Sequence, residues 1–188
     1  MSLRSPSRSA LLLAGLLCLA AVPARADLTG GYYNTIKAAQ TGDMETLRQQ
    51  VVRGEELNHQ DNDGKTALTY AAIAGNGAMV KLLLQGGART TIRDGDDRLP
   101  LHWAVQKDNP EAVAALLDGG AAIEATDKRG TTPLMMAATN GNLGVVRVLL
   151  AHHAKIDTRD YTGRSALDMA TDARQTLVVQ ALKQAGAQ

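Results

Sequence analysis

Phenylalanine is absent from this 188-residue chain, aromatic residues make up only 3% of it, and cysteine occurs once, at Cys18. The lack of Phe carries no functional reading, but the other absences do. With no Cys partners and no His pair at i, i+4 spacing, the chain offers no zinc-ligand pattern. No apolar run reaches the ~20 residues needed to cross a bilayer. There is no Gly-x-Ser-x-Gly elbow. The pairs Gly86-Gly87 and Gly119-Gly120 follow apolar helical stretches instead of opening them, so neither is a phosphate loop. No nucleophile can be matched to a base. The chain therefore reads as a non-enzyme without cofactor or metal.

Neither charge sign dominates: 20 Lys and Arg stand against 19 Asp and Glu. Arg4 and Arg8 precede an apolar stretch from Ala10 to Val22, and Ala24-Arg25-Ala26 supplies small residues where a signal peptidase cuts. Residues 1–26 are thus expected to be a cleaved export leader. Cys18 lies inside the apolar stretch behind Leu17, which argues against lipid attachment. Losing Arg4, Arg8 and Arg25 leaves a slightly acidic chain, no basis for nucleic-acid or anionic-membrane binding. It also leaves a chain without cysteine, stabilised by apolar burial alone. The location expected is the periplasm, with no membrane insertion after cleavage, and the protein is expected to be a monomer.

What is present is a 33-residue period. Leu68, Leu101, Leu134 and Leu167 form one column, Ala38, Ala71, Ala104, Ala137 and Ala170 a second, and Asp61, Asp94, Asp127 and Asp160 a third. Three columns in one register mark a stacked array of identical units. The stretch from Asp61 to Arg93 shows one unit. Asp61-Asn62-Asp63-Gly64 is a turn, Thr66 caps a helix from about Ala67 to Ala74, and Gly75 ends it. Asn76 caps a second helix carrying Val80, Leu83 and Leu84, which stops at Gly86-Gly87. Such short helices do not survive alone in water and must bury their stripes against neighbouring units. The second cap recurs as Asp43, Asn109 and Asn142, and the core valine as Val113, Val146 and Val179.

Gly130-Thr131-Thr132-Pro133-Leu134, Leu99-Pro100-Leu101-His102-Trp103-Ala104 and Val145-Val146-Arg147-Val148-Leu149-Leu150 resemble the ankyrin repeat. The resemblance implies an all-α ankyrin repeat solenoid of about five stacked helix–turn–helix units with short hairpin loops. The units fall at about 28–60, 61–93, 94–126, 127–159 and 160–188 of a domain spanning 27–188. The third is expected to be the least regular, because Leu99, Asp97 and Asp108 replace the capping Thr and two turn glycines. His102 matches the motif histidine, but Thr69, Met135 and Asp168 hold its column elsewhere.

Two other signals read as structure. His153 replaces a helix-ending glycine beside His152, and Asp61-Asn62-Asp63-Gly64 is followed by Ala72 where a calcium loop needs Glu. In the column of Tyr70, Trp103, Met136 and Met169, half-buried core packing is expected, with partner anchoring as the alternative.

Family members usually meet partners through the hairpin tips and the exposed side of the first helix. The resemblance carries that role to Asn62, Asp63, Lys65 and Ile73, to Asp96, Arg98, Gln106 and Lys107, to Lys128, Arg129, Thr131 and Asn140, and to Tyr161 and Arg164. Basic residues are dense in these sets, which points to a protein partner with an acidic surface. The expected function is a periplasmic protein–protein interaction module without catalysis. With its leader the chain is similar to small exported bacterial ankyrin proteins that act as accessory factors, one of them beside a periplasmic catalase in antioxidant defence. The alternative is an immunity protein neutralising a secreted toxin.

Overall fold

The computed structural model describes residues 30–187. The leader expected over residues 1–26 lies outside the described residues. Among the described residues ten helices form five antiparallel pairs: α1 (Gly30–Thr41) with α2 (Met44–Val52), α3 (Ala67–Ala74) with α4 (Gly77–Gln85), α5 (Pro100–Gln106) with α6 (Pro110–Asp118), α7 (Pro133–Asn140) with α8 (Leu143–Ala151), and α9 (Ala166–Asp172) with α10 (Thr176–Gln184). The first helices pack in the order α1, α3, α5, α7, α9, and the second in the order α2, α4, α6, α8, α10. No strand occurs among the described residues. This is the all-α solenoid expected.

The alanine column explains how closely the first helices approach. Ala38, Ala71, Ala104, Ala137 and Ala170 are all buried, and a methyl group is the largest side chain that fits there without pushing the layers apart. In the second layer, Val80, Val113 and Val146 are fully buried together with Leu83, Leu116, Leu149 and Leu182. Val179 is only partly buried, because no helix stacks beyond α10 among the described residues.

Helix ends follow the residues expected of them, with two exceptions. Thr66 caps α3 through the Thr69 amide, Asp43 caps α2, Asn76 caps α4, and Gly75 closes α3 in the left-handed conformation at φ 68°. Asn109 and Asn142, however, make no side-chain capping bond. Asn142 instead donates from Nδ2 to the Val105 carbonyl 2.7 Å away. The Asn109 side chain lies against Gly75, where a Cβ would collide with it at 2.3 Å. Both side chains reach the end of the first helix of the preceding repeat, Asn142 by a hydrogen bond and Asn109 by packing.

The third repeat keeps its backbone despite its substitutions. Asp97 and Asp108 adopt φ 64° and 52°, the left-handed conformation that glycine takes at the equivalent places. Its first helix is one residue shorter than α3, and the turn bond from the Asp97 amide to the Asp94 carbonyl is intact at 2.9 Å. The irregularity expected there appears as strain in single residues and not as a disrupted fold.

Candidate partner-binding groove

Each hairpin is built around its aspartate. In all four units one carboxylate oxygen accepts two turn amides: Asp61 from Asp63 and Lys65, Asp94 from Asp96 and Arg98, Asp127 from Arg129 and Thr131, and Asp160 from Thr162 and Arg164. At Asp127 and Asp160 these donors favour the charged carboxylate. The Thr162 hydroxyl and the Arg164 amide pull Asp160 down to about 2. Burial opposes the charge on Asp127, but the Thr131 and Arg129 amides outweigh it and keep its pKa below the usual carboxylate value.

The second carboxylate oxygen has a different fate along the stack. In repeat 2 it accepts the Tyr70 hydroxyl at 2.6 Å, and in repeat 3 the Trp103 indole N–H at 2.6 Å. The rings thereby lie over the hairpin base and fill the space between hairpin and first helix. Arg98 stacks over Trp103 with its guanidinium carbon 5.0 Å from the ring centroid, and Lys65 Nζ lies 5.6 Å away. Methionine holds the ring's place in repeats 4 and 5, and the second oxygens face arginine instead, Asp127 toward Arg129 Nε at 3.8 Å and Asp160 toward Arg164 at 3.3 Å.

Where the rings stop, a groove of about 660 Å³ opens. Arg98, Gln106, Lys128, Arg129, Thr131, Asn140, Tyr161 and Arg164 line it, so the structure brings together most of the residues chosen from repeats 3 to 5. Asn62, Asp63, Lys65, Ile73, Asp96 and Lys107 lie outside it, and none of them is buried. Asn62, Asp63, Lys65 and Asp96 stay on the hairpins of repeats 2 and 3, while Ile73 lies on α3 and Lys107 at the end of α5. Met136 and Met169, for which partner anchoring was the alternative to core packing, line the groove too, and so do Asp127 and Asp160, which the columns marked only as turn residues. The signal was the change from Tyr and Trp to Met along one column; Met136 is half-buried against the core, as expected of that column, and Met169 is buried more deeply, at 5% exposed.

The charge on this face is more balanced than a residue tally suggests. Lys65 pairs with Asp63 at 3.2 Å, and Arg129 and Arg164 with their own hairpin aspartates. Among the described residues, Arg98, Lys107 and Lys128 have no carboxylate within 4.0 Å. Arg98 is held by the Gln106 Oε1 at 2.8 Å, and Lys128 Nζ donates to the Gly95 carbonyl at 3.4 Å. The two cations of the groove without a carboxylate partner, Arg98 and Lys128, therefore sit at its repeat 3 end.

Elsewhere, His152 Nε2 lies 3.9 Å from Asp118, and His153 takes φ 63° in the column of Gly87 and Gly120. Among the described residues no group of three or more His, Cys, Asp or Glu is placed to hold a metal, and no helix is long and apolar enough to cross a membrane.

Paired helices in two layers, with hairpins along one edge and a groove between hairpins and first helices, define a helical repeat scaffold with a lateral binding face. The chain belongs to the ankyrin repeat family: the family model for ankyrin repeats matches residues 35–127 and 101–188. A search of curated proteins finds no match. Ankyrin repeats are protein–protein interaction modules and generally act without catalysis.

Proposed function

We propose that this protein is an exported, periplasmic binding module that holds a partner protein across the groove of repeats 3 to 5. The observation that carries the reading is the convergence of Arg98, Lys128, Arg129, Tyr161 and Arg164 on one open groove. Preorganised arginines and an exposed tyrosine are the residue types that dominate binding energy at protein interfaces. The partner presents an acidic surface, since Arg98 and Lys128 lie at the rim without carboxylate partners among the described residues. Roles in antioxidant defence or in toxin neutralisation differ only in what that partner is.

The test is association kinetics with a partner isolated on the wild-type protein. Exchanging Lys128 and Arg129 for Glu should slow association by about tenfold at low salt, with the difference shrinking as salt rises. An on-rate that does not change would remove this face from the interaction.

A further inference from the structure

We propose that the groove takes an acidic, extended segment of the partner, with one large apolar side chain of that segment seated on Met136 and Met169. The inference rests on the interaction reading above and narrows it to the chemistry of the bound segment.

Three observations lead to it. In repeats 2 and 3 a ring occupies the space between hairpin and first helix and donates to the hairpin aspartate. In repeats 4 and 5 methionine stands in the ring's column, and Met136 and Met169 both line the open groove. The floor left behind is thioether, an unbranched and polarisable surface that adapts to aliphatic or aromatic groups. A side chain entering from a partner would occupy the site that Tyr70 and Trp103 fill from within the chain.

The rim decides the charge around that side chain. At the repeat 3 end, Arg98 is clamped between Trp103 and Gln106, and Lys128 reaches the Gly95 carbonyl. Asp127 and Asp160 also line the groove, but their oxygens are occupied by turn amides and by Arg129 and Arg164. Asp172 lies on the repeat 5 side. The acidic residues of the segment therefore lie over Arg98 and Lys128, on one side of the apolar anchor. The volume, about 660 Å³, exceeds what one side chain fills and leaves room for its neighbours.

Titration calorimetry with the full chain tests this, using three capped peptides of about eight residues. One carries Asp and Glu before a single Phe, one has Ala in place of that Phe, and one has Lys in place of the acids. The first should bind about tenfold more tightly than either control. Met136→Trp gives repeat 4 the ring of repeat 3, and should weaken the first peptide by about tenfold while the far-ultraviolet circular dichroism is retained. Arg98→Glu with Lys128→Glu should abolish the preference for acidic over basic peptide, and stands as the test if Met136→Trp does not fold. Equal binding of the three peptides, no binding of any, or full binding by folded Met136→Trp would overturn the proposal. If the partner itself is lost on exchanging Lys128 and Arg129 for Glu yet still binds Met136→Trp, the face is the interface and the apolar anchor is wrong.

Discussion

Asp108 and Arg174 stand in the column of Gly42, Gly75 and Gly141, and all five residues have positive φ, from 52° at Asp108 to 78° at Gly42. A left-handed conformation costs an L-residue roughly 1–2 kcal/mol, less for Asp and Asn, while glycine costs more unfolded-state entropy. Asp108 is exposed, and no hydrogen bond of its side chain among the described residues offsets the strain. Asp108→Gly should therefore raise unfolding free energy by about 1 kcal/mol, read as a higher urea midpoint with an unchanged slope. An unchanged or lower midpoint would show that the strain is relieved elsewhere.

Within the helical elements, one column serves one backbone purpose with four chemistries. The amide that precedes each first helix needs an acceptor, and it finds Thr69, His102, Met135 and Asp168 in successive repeats. At His102, Nδ1 accepts from the Leu99 amide at 3.0 Å, so Nε2 carries the proton and donates to the Ala125 carbonyl at 2.9 Å. The ladder of motif histidines is incomplete, but the capping function is not. Burial pushes the His102 pKa below 6.5, although the Ala125 carbonyl favours the charged ring. The unfolded chain then binds a proton near pH 6.5 that the folded chain resists. This contribution is fully present above that pH and is lost as the pH falls below it. Melting curves at pH 7 and pH 5 should show a drop in Tm on acidification that is smaller in His102→Gln. Equal drops in the two proteins would assign the pH dependence to other groups.

At the scale of the whole molecule, each repeat gains stability from its neighbours, and among the described residues the first and last repeats each pack on one. The first repeat is further weakened by Gln50. It holds the column of Leu83, Leu116, Leu149 and Leu182, is 6% exposed, and leaves Oε1 without a hydrogen-bond partner. An unsatisfied buried acceptor costs about 1–3 kcal/mol. Gln50→Leu should raise hydrogen-exchange protection in α1 and α2 while α9 and α10 stay unchanged. Protection rising equally at both ends would mean that the array unfolds as one unit, and no rise at all would mean that Gln50 carries no penalty.

The repeat fold was legible from the chain alone because its causes are local and periodic. A proline at N1, a capping Thr, a turn Asp and a small or branched residue at fixed intervals leave such short helices, seven to nine residues in all but α1, no stable alternative to stacking. The bounds of α3 follow residue for residue from Thr66 and Gly75. The hairpin and first-helix residues could be named as a face for the same reason. What the columns did not disclose is where that face is open. Whether the space beside an aspartate is filled depends on a ring nine residues further along the chain reaching back to its second oxygen, a contact of 2.6 Å in repeats 2 and 3 that methionine cannot make in repeats 4 and 5. Likewise, the pairing of Lys65, Arg129 and Arg164 with their own hairpins reduces the free positive charge to one end of the groove. Sequence determined the units and their order through local backbone chemistry; tertiary structure decided the groove and its polarity, because both arise from side chains meeting across a hairpin and a helix.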